Sequence, residues 1–184
     1  MSNQAETLCD RAGAGDLSAA SELVSLFYER IFAYFRRLCG SNDDAADLTQ
    51  KTFFKVWTSL ASFRRRSSFS TWLHGIAHHV YVDWRRTNRP AHLQTDEWWE
   101  ACAAAGPSPF DDAAERDTAR RLFALVERLE EGIREVVHLH YYQGLSLNET
   151  AEVLGIAAST VKYRLRGALD ALRAQTIEPH LKTA

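Results

Sequence analysis

Cysteine is scarce: only Cys9, Cys39 and Cys102 occur in 184 residues. They are odd in number and widely spaced, so no CxxC pair is present to hold zinc or a redox disulfide. The usage fits a reducing cytoplasm. Valine and isoleucine are also few, 14 together against 46 alanines and leucines, and that imbalance predicts helices rather than strands. Long apolar runs are missing. The longest uncharged aromatic stretch, Ser67 to Val82, contains three histidines and a glycine and falls short of a bilayer span, so no direct membrane insertion is expected. The opening MSNQAETLCDRAGAGD has no basic segment followed by an apolar run, so no secretory signal is expected there. No internal repeat or low-complexity tract stands out. The length allows one domain or two small ones, which excludes a large multidomain enzyme. A hydrophobic content of 46% with 25% charged residues excludes a fully disordered chain.

The net charge of −2 hides strong segregation. Residues 1–60 carry 6 basic and 8 acidic groups, residues 61–90 carry 6 arginines against Asp83 for +5, and residues 91–117 carry 7 acids against Arg116 for −6. Residues 118–157 give −2, residues 158–173 give +3 and the tail is neutral. Two basic islands flank an acidic middle, an electrostatic footprint suited to phosphates even in an acidic chain.

Leu17, Ala20, Val24, Phe27, Ile31, Tyr34 and Leu38 recur at steps of three and four and predict a helix ended by Gly40. Ser41 or Asn42 can cap a second helix with Asp43 and Asp44 in its first turn and a stripe of Ala46, Thr49, Phe53, Val56 and Leu60. The period breaks over Ala61 to Phe69. Ser67, Ser68 or Ser70 can then cap a third helix to about Arg86, with Leu73, Ile76, Val80 and Trp84 inward. Asn88-Arg89-Pro90 stops it, and a linker follows. Periodicity returns with Ala119, Leu122, Val126 and Leu129, then Ile133, Val136, Val137 and Tyr141.

The strongest local signal is LSLNETAEVLGIAASTVKYRLRGAL, Leu145 to Leu169. Ser146 with Glu149 fits a capping box, Gly155 permits a tight turn, and Val161, Leu165 and Ala168 bury the next helix. This pattern predicts a helix-turn-helix. Its second helix carries Ser159, Thr160, Lys162, Tyr163, Arg164 and Arg166 near its start, where a recognition helix needs donors for the major groove.

The segment resembles domain σ4 of bacterial sigma factors of the extracytoplasmic-function (ECF) group. Upstream, Arg134-Glu135-Val136-Val137 through Leu145-Ser146 resembles the family's REV…YYEGLS run. Asp47 to Trp57 resembles the σ2 motif DLVQETFLRVW, and Phe69 to Ala77 resembles FRTWLYRIA. Three departures stand out. His78-His79 replaces a usual Arg-Asn, Leu129 to Gly132 replaces a proline-containing approach, and Tyr163 stands where serine is common.

The resemblance implies an all-α protein of two small domains. The divisions are an N-terminal segment 1–16, σ2 over 17–90, an acidic linker 91–117, σ4 over 118–175 and a tail 176–184. It implies a non-enzymatic factor that binds core RNA polymerase, through its β′ clamp helices and β flap, and directs it to promoter DNA, with a dedicated anti-sigma factor as inhibitor. No cofactor is implied. Asp47, Gln50 and Phe54 form a polar-plus-aromatic face apart from their helix's own stripe, and the family docks this face on the clamp helices. Arg64, Arg65 and Arg66 offer phosphate contacts, while His74, His78, His79, Tyr81 and Arg85, with Phe63, Phe69 and Trp72 beside them, offer a surface for an unpaired −10 strand. His74, His78, Tyr81 and Arg85 are expected opposite the core stripe, with Phe69 and Trp72 at least half buried. Ser159, Thr160, Lys162, Tyr163, Arg164 and Arg166 would read the −35 duplex.

Two rival readings remain at this stage. A helix-turn-helix regulator working without polymerase leaves the Asp47/Gln50 face and the loop arginines without a role. A zinc hydrolase built on His74 and His78 lacks both the general-base glutamate, which Gly75 replaces, and a third ligand. His138 and His140, two apart, point in different directions and read as one core-edge and one surface residue.

Overall fold

The computed structural model describes residues 2–88 and 113–177. Two compact units divide the chain, Met1–Gly106 and Pro107–Ala184. Among the described residues there are eight α-helices and no strand.

In the first unit, most of the N-terminal segment 1–16 forms a helix, α1 (Ser2–Gly13). Ala5, Leu8, Cys9 and Ala12 are its buried face. The joint to α2 (Leu17–Cys39) is made by one carboxylate. Asp16 accepts from the Ser18 and Ala19 amides at 3.0 and 3.1 Å and from Arg11 Nη2 at 2.6 Å. The Ala19 amide, then Arg11, hold its carboxyl below the usual range. Helix α2 ends at Gly40, whose φ of 71° is left-handed and whose amide donates to the Arg36 carbonyl. Phe27, Ile31, Tyr34 and Leu38 are buried as the periodicity predicts, but Leu17 is 73% and Val24 36% exposed. Ala19, Leu23, Phe35 and Cys39 are buried instead. A helix packed on α1, α3 and α4 together cannot keep one straight stripe.

Helix α3 (Asn42–Ser59) is capped by Ser41, with Asp43 and Asp44 in its first turn as expected. Ala45, Leu48, Thr49, Thr52 and Val56 are its buried residues, and Ala46 faces out. A 3₁₀ turn, Leu60–Ser62, leads into the loop, and Ser68 caps α4 (Phe69–Thr87) through the Thr71 amide.

In the second unit, α5 (Ala113–Glu127) begins inside the stretch 91–117 read as linker. The rest of that segment, with its Trp98-Trp99 pair, lies outside the described residues. Helix α6 (Glu131–Val137) runs directly into a π-helical turn, His138–Tyr142, closed by the Gln143 amide on the His138 carbonyl at 3.0 Å. This turn explains a misplaced tyrosine. An α-helix carrying Val137 inward would carry Tyr141 inward too, whereas the wider turn advances the phase by one residue. Tyr142 therefore packs on the core and Tyr141 is 58% exposed. Phe123, not Leu122, is buried on α5. Helices α7 (Leu147–Leu154) and α8 (Ala158–Ile177) complete the unit, and α8 runs past residue 175. The core is Val126, Leu129, Val136, Val137, Ala151, Val161, Leu165 and Ala168.

The turn between α7 and α8 bears out the capping pattern. Ser146 Oγ accepts from the Glu149 amide, Glu149 accepts in return from the Ser146 amide at 2.9 Å, and Gly155 ends α7 at φ 64°. Ser146→Ala removes half of this box, and denaturant unfolding of the second unit should show a loss of about 1 kcal/mol.

Candidate nucleic-acid and partner interfaces

The first candidate site follows from how α3 is buried. With Leu48, Thr49, Thr52 and Val56 turned inward, the helix leaves Asp47, Gln50 and Phe54 on its outer side, all exposed. Phe54 is 69% exposed. These three residues line an open groove of about 540 Å³ whose other wall is the C-terminal half of α4, including Val80, Asp83 and Trp84. The sequence brought the three together correctly but did not supply the second wall. Lys51 pairs with Asp47 at 2.6 Å and Lys55 reaches Asp83 across the groove at 3.8 Å. Both pairs are solvent-exposed and hold little energy. They are charges that a partner can re-pair, beside an aromatic ring that a partner can cover. Lys51 was legible in sequence as the i+4 partner of Asp47.

The second candidate site is the loop between α3 and α4 with the helix that follows. Arg64, Arg65 and Arg66 are all exposed. Arg65 has a φ of 54°, the one left-handed non-glycine residue among those described, and its guanidinium pairs with Asp10 of α1. That hydrogen-bonded carboxylate raises the Arg65 pKa further. Nothing local in the sequence signals Asp10, because the contact joins separated elements. The loop is pinned at its base by aromatics. Phe63 lies 4.9 Å from Trp72 and 5.9 Å from Phe69, ring centre to ring centre, and Phe69 and Trp72 are 5.8 Å apart. Phe69 is buried and Trp72 half-buried.

Helix α4 requires two corrections. His74 and Tyr81, expected opposite the core stripe, are buried, at 0% and 3% exposure. His74 Nδ1–H donates to the Ser70 carbonyl at 2.7 Å and its ring meets Tyr34 edge-on, so a core contact satisfies it. Tyr81 stacks on Trp84 and carries the Arg85 guanidinium over its ring at 5.5 Å. Neither can reach a strand. The reason is that α4 packs on α1, α2 and α3, and three neighbours bury more than one stripe. His78 and Arg85 are half-buried, and His79 is exposed, its Nδ1–H donating to the Gly75 carbonyl at 2.7 Å. Burial, with repulsion from His79 and Arg85, pushes the His78 pKa down to about 4. At neutral pH its ring is uncharged and offers no phosphate pairing. Among the described residues no group of three or more histidines, cysteines or acids is placed to hold a metal ion.

The third candidate site is the start of α8. Ser159, Lys162, Tyr163 and Arg166 are exposed, Tyr163 at 79%, and Thr160 is half-exposed. Arg164 departs from the expectation. It is half-buried and its Nη1 donates to the Gly132 carbonyl at 3.2 Å, so its guanidinium is engaged within the unit. His138 is fully buried with Nε2–H donating to Glu127 at 3.0 Å, and His140 is half-buried with Nδ1–H donating to the Leu145 carbonyl at 2.7 Å. Both histidines serve the fold.

The depressed His78 gives a pH dependence. Its folded pKa lies below the ordinary 6.5, so the unfolded state binds the extra proton first, and stability falls as pH drops from about 6.5 toward 4. His78→Gln should remove that slope, on the order of 2 kcal/mol across the window, leaving the remainder to other groups. Denaturant midpoints at pH 7 and pH 5 for both proteins check this.

Comparison with known proteins follows the same division of the chain. Residues 23–90 match Sigma-70 region 2 and residues 125–174 match Sigma-70, region 4. The chain is 28% identical to the ECF RNA polymerase sigma factor SigW of Bacillus subtilis (strain 168), over 88% of this chain and 90% of that one. It is 31% identical to the RNA polymerase sigma factor YlaC of the same organism, over 80% and 86%. A solved structure, CnrH in complex with the cytosolic domain of CnrY, superposes with a TM-score of 0.71 at 25% identity, covering 94% of this chain and 97% of that one. No helix among the described residues is long and apolar enough to cross a membrane. With both regions present in order, each on the helices that carry its surface residues, the chain belongs to the sigma-70 family of RNA polymerase sigma factors, in the ECF group.

Proposed function

We propose that this protein binds core RNA polymerase and directs it to a specific set of promoters, acting in the cytoplasm. The observation that carries the reading is the pairing of σ2 and σ4 regions in one chain, each with exposed residues of the required chemistry. Asp47, Gln50 and Phe54 with their groove dock on the β′ clamp helices, and the second unit engages the β flap. Arg64 and Arg66 contact strand phosphates, and His79 and the half-exposed rim of Phe63 and Trp72 meet unstacked bases. Arg65 is held by Asp10 and serves the shape of the loop. In the second unit Ser159, Thr160, Lys162, Tyr163 and Arg166 face the −35 duplex. The phosphodiester chemistry belongs to the polymerase, so the chain itself is not an enzyme. The likeness to CnrH, solved in complex with the cytosolic domain of CnrY, supports a further protein partner, in keeping with the anti-sigma factor that the family resemblance implies. Duplex binding without polymerase, the rival reading, gives no role to the Phe54 groove or to the loop arginines.

Run-off transcription with purified core polymerase tests the proposal, since initiation from a defined site that depends on this chain is the expected result. Asp47→Ala with Gln50→Ala should weaken holoenzyme formation roughly tenfold or more while moving the melting temperature little, as both side chains are exposed. Gel filtration with core polymerase reads the first effect and calorimetry the second.

Promoter opening separates the two DNA sites. Arg66→Ala with His79→Ala should reduce transcription from a paired template, and a template with the −10 segment already mismatched should recover part of the loss. Lys162→Ala should depress both templates alike, since its defect lies in duplex binding. Equal rescue of the two variants would show that the roles are assigned wrongly.

A further inference from the structure

Arg164 stands on α8 between Val161 and Leu165, both buried. A Cβ placed on Gly132 would lie 3.1 Å from Arg164 Cζ, 3.1 Å from Nη1 and 3.3 Å from Nη2. Near-equal distances from one point to three guanidinium atoms mean that the guanidinium plane covers Gly132, filling the space a side chain would take. Its Nη1 also donates to the Gly132 carbonyl at 3.2 Å, across 32 residues of chain. Gly167, farther along α8, is under no such pressure, since a Cβ there would meet Ile133 Cδ1 at an ordinary 3.7 Å. The close contact between the two helices is thus the one made by Arg164 on Gly132. Gly132 shows no positive φ that would call for glycine. The close approach of Arg164 supplies the reason for it.

We infer that Arg164 is a positioning residue of the promoter-reading helix. It clamps α8 to α6 through Gly132 as its socket, and so sets the angle at which Ser159, Lys162, Tyr163 and Arg166 meet the major groove. This rests on the reading of α8 as the duplex-binding helix. A planar fork suits the socket because it can lie flat on a Cα and donate at its edge together, which an ammonium cannot do.

The test uses holoenzyme made with the full chain, and duplexes that wild-type holoenzyme selects from a randomised pool. Affinity is measured against salt at a temperature where circular dichroism shows every variant folded. Lys162→Ala should weaken binding and flatten the slope of log K against log salt by about 0.9, the signature of one lost phosphate contact. Arg164→Ala should weaken binding about tenfold with the slope unchanged. Gly132→Leu, which fills the socket without facing DNA, should do the same, and the double variant should lose no more than either single one. Arg164→Lys should not restore affinity. A flattened slope for Arg164→Ala makes it a phosphate contact and overturns the inference, as does wild-type binding by Gly132→Leu or additive losses in the double variant. If Lys162→Ala and Arg166→Ala both leave the slope intact, the reading of α8 as the duplex-binding helix fails instead.

Discussion

Two buried threonines on α3 set the geometry of the first unit. Thr49 and Thr52 are fully buried, yet neither needs a partner from another helix, because each hydroxyl donates to the carbonyl four residues back, at 2.7 and 2.8 Å. A polar group satisfied by its own helix can be placed in an apolar contact at little cost. Together with Ala45 these small residues let α3 be buried along one side without a bulky wedge. The opposite side is then committed to solvent, and that is where Asp47, Gln50 and Phe54 stand. Surface and core on this helix are one decision.

The same economy appears in the second unit in another form. There the small residue is Gly132, at the contact between α6 and α8, and the group received is a guanidinium. The π turn after α6 completes the arrangement. It lets Val136, Val137 and Tyr142 share a core that an uninterrupted α-helix would have given to Tyr141. The cations proposed to meet DNA, by contrast, are kept out of the packing in both units. Lys162 and Arg166 stay in solvent, as do Arg64 and Arg66, so folding carries no desolvation cost for them.

Local chemistry was legible in the sequence and long-range contact was not. Ser41, Ser68 and Ser146 announce helix starts, and Gly40 and Gly155 announce helix ends, because a cap is decided within four residues. The exposed Asp47, Gln50 and Phe54 face could be read because a strong inward stripe defines its opposite. Helix α1 escaped because its buried face is built largely from alanine and cysteine, which give a weak periodic signal. His74 and Tyr81 were placed outward by a rule that assumes one stripe per helix, and three packing neighbours broke that rule. Arg164 looked like its neighbours Lys162 and Arg166. Only a glycine 32 residues earlier distinguishes it, and no local pattern joins the two.

The division of the chain into two compact units, each with its own core, carries a consequence for how long the molecule lasts. Units of this size bury a modest fraction of their surface and stand close to the threshold of unfolding. Whatever binds only the folded form adds to its stability in proportion to the logarithm of its concentration over its dissociation constant. Core polymerase and promoter DNA, the partners of the folded form, are therefore also protectants. A molecule without partners spends more time open. Binding and folding are in that sense one linked equilibrium, each unit drawing on its partners for part of its persistence.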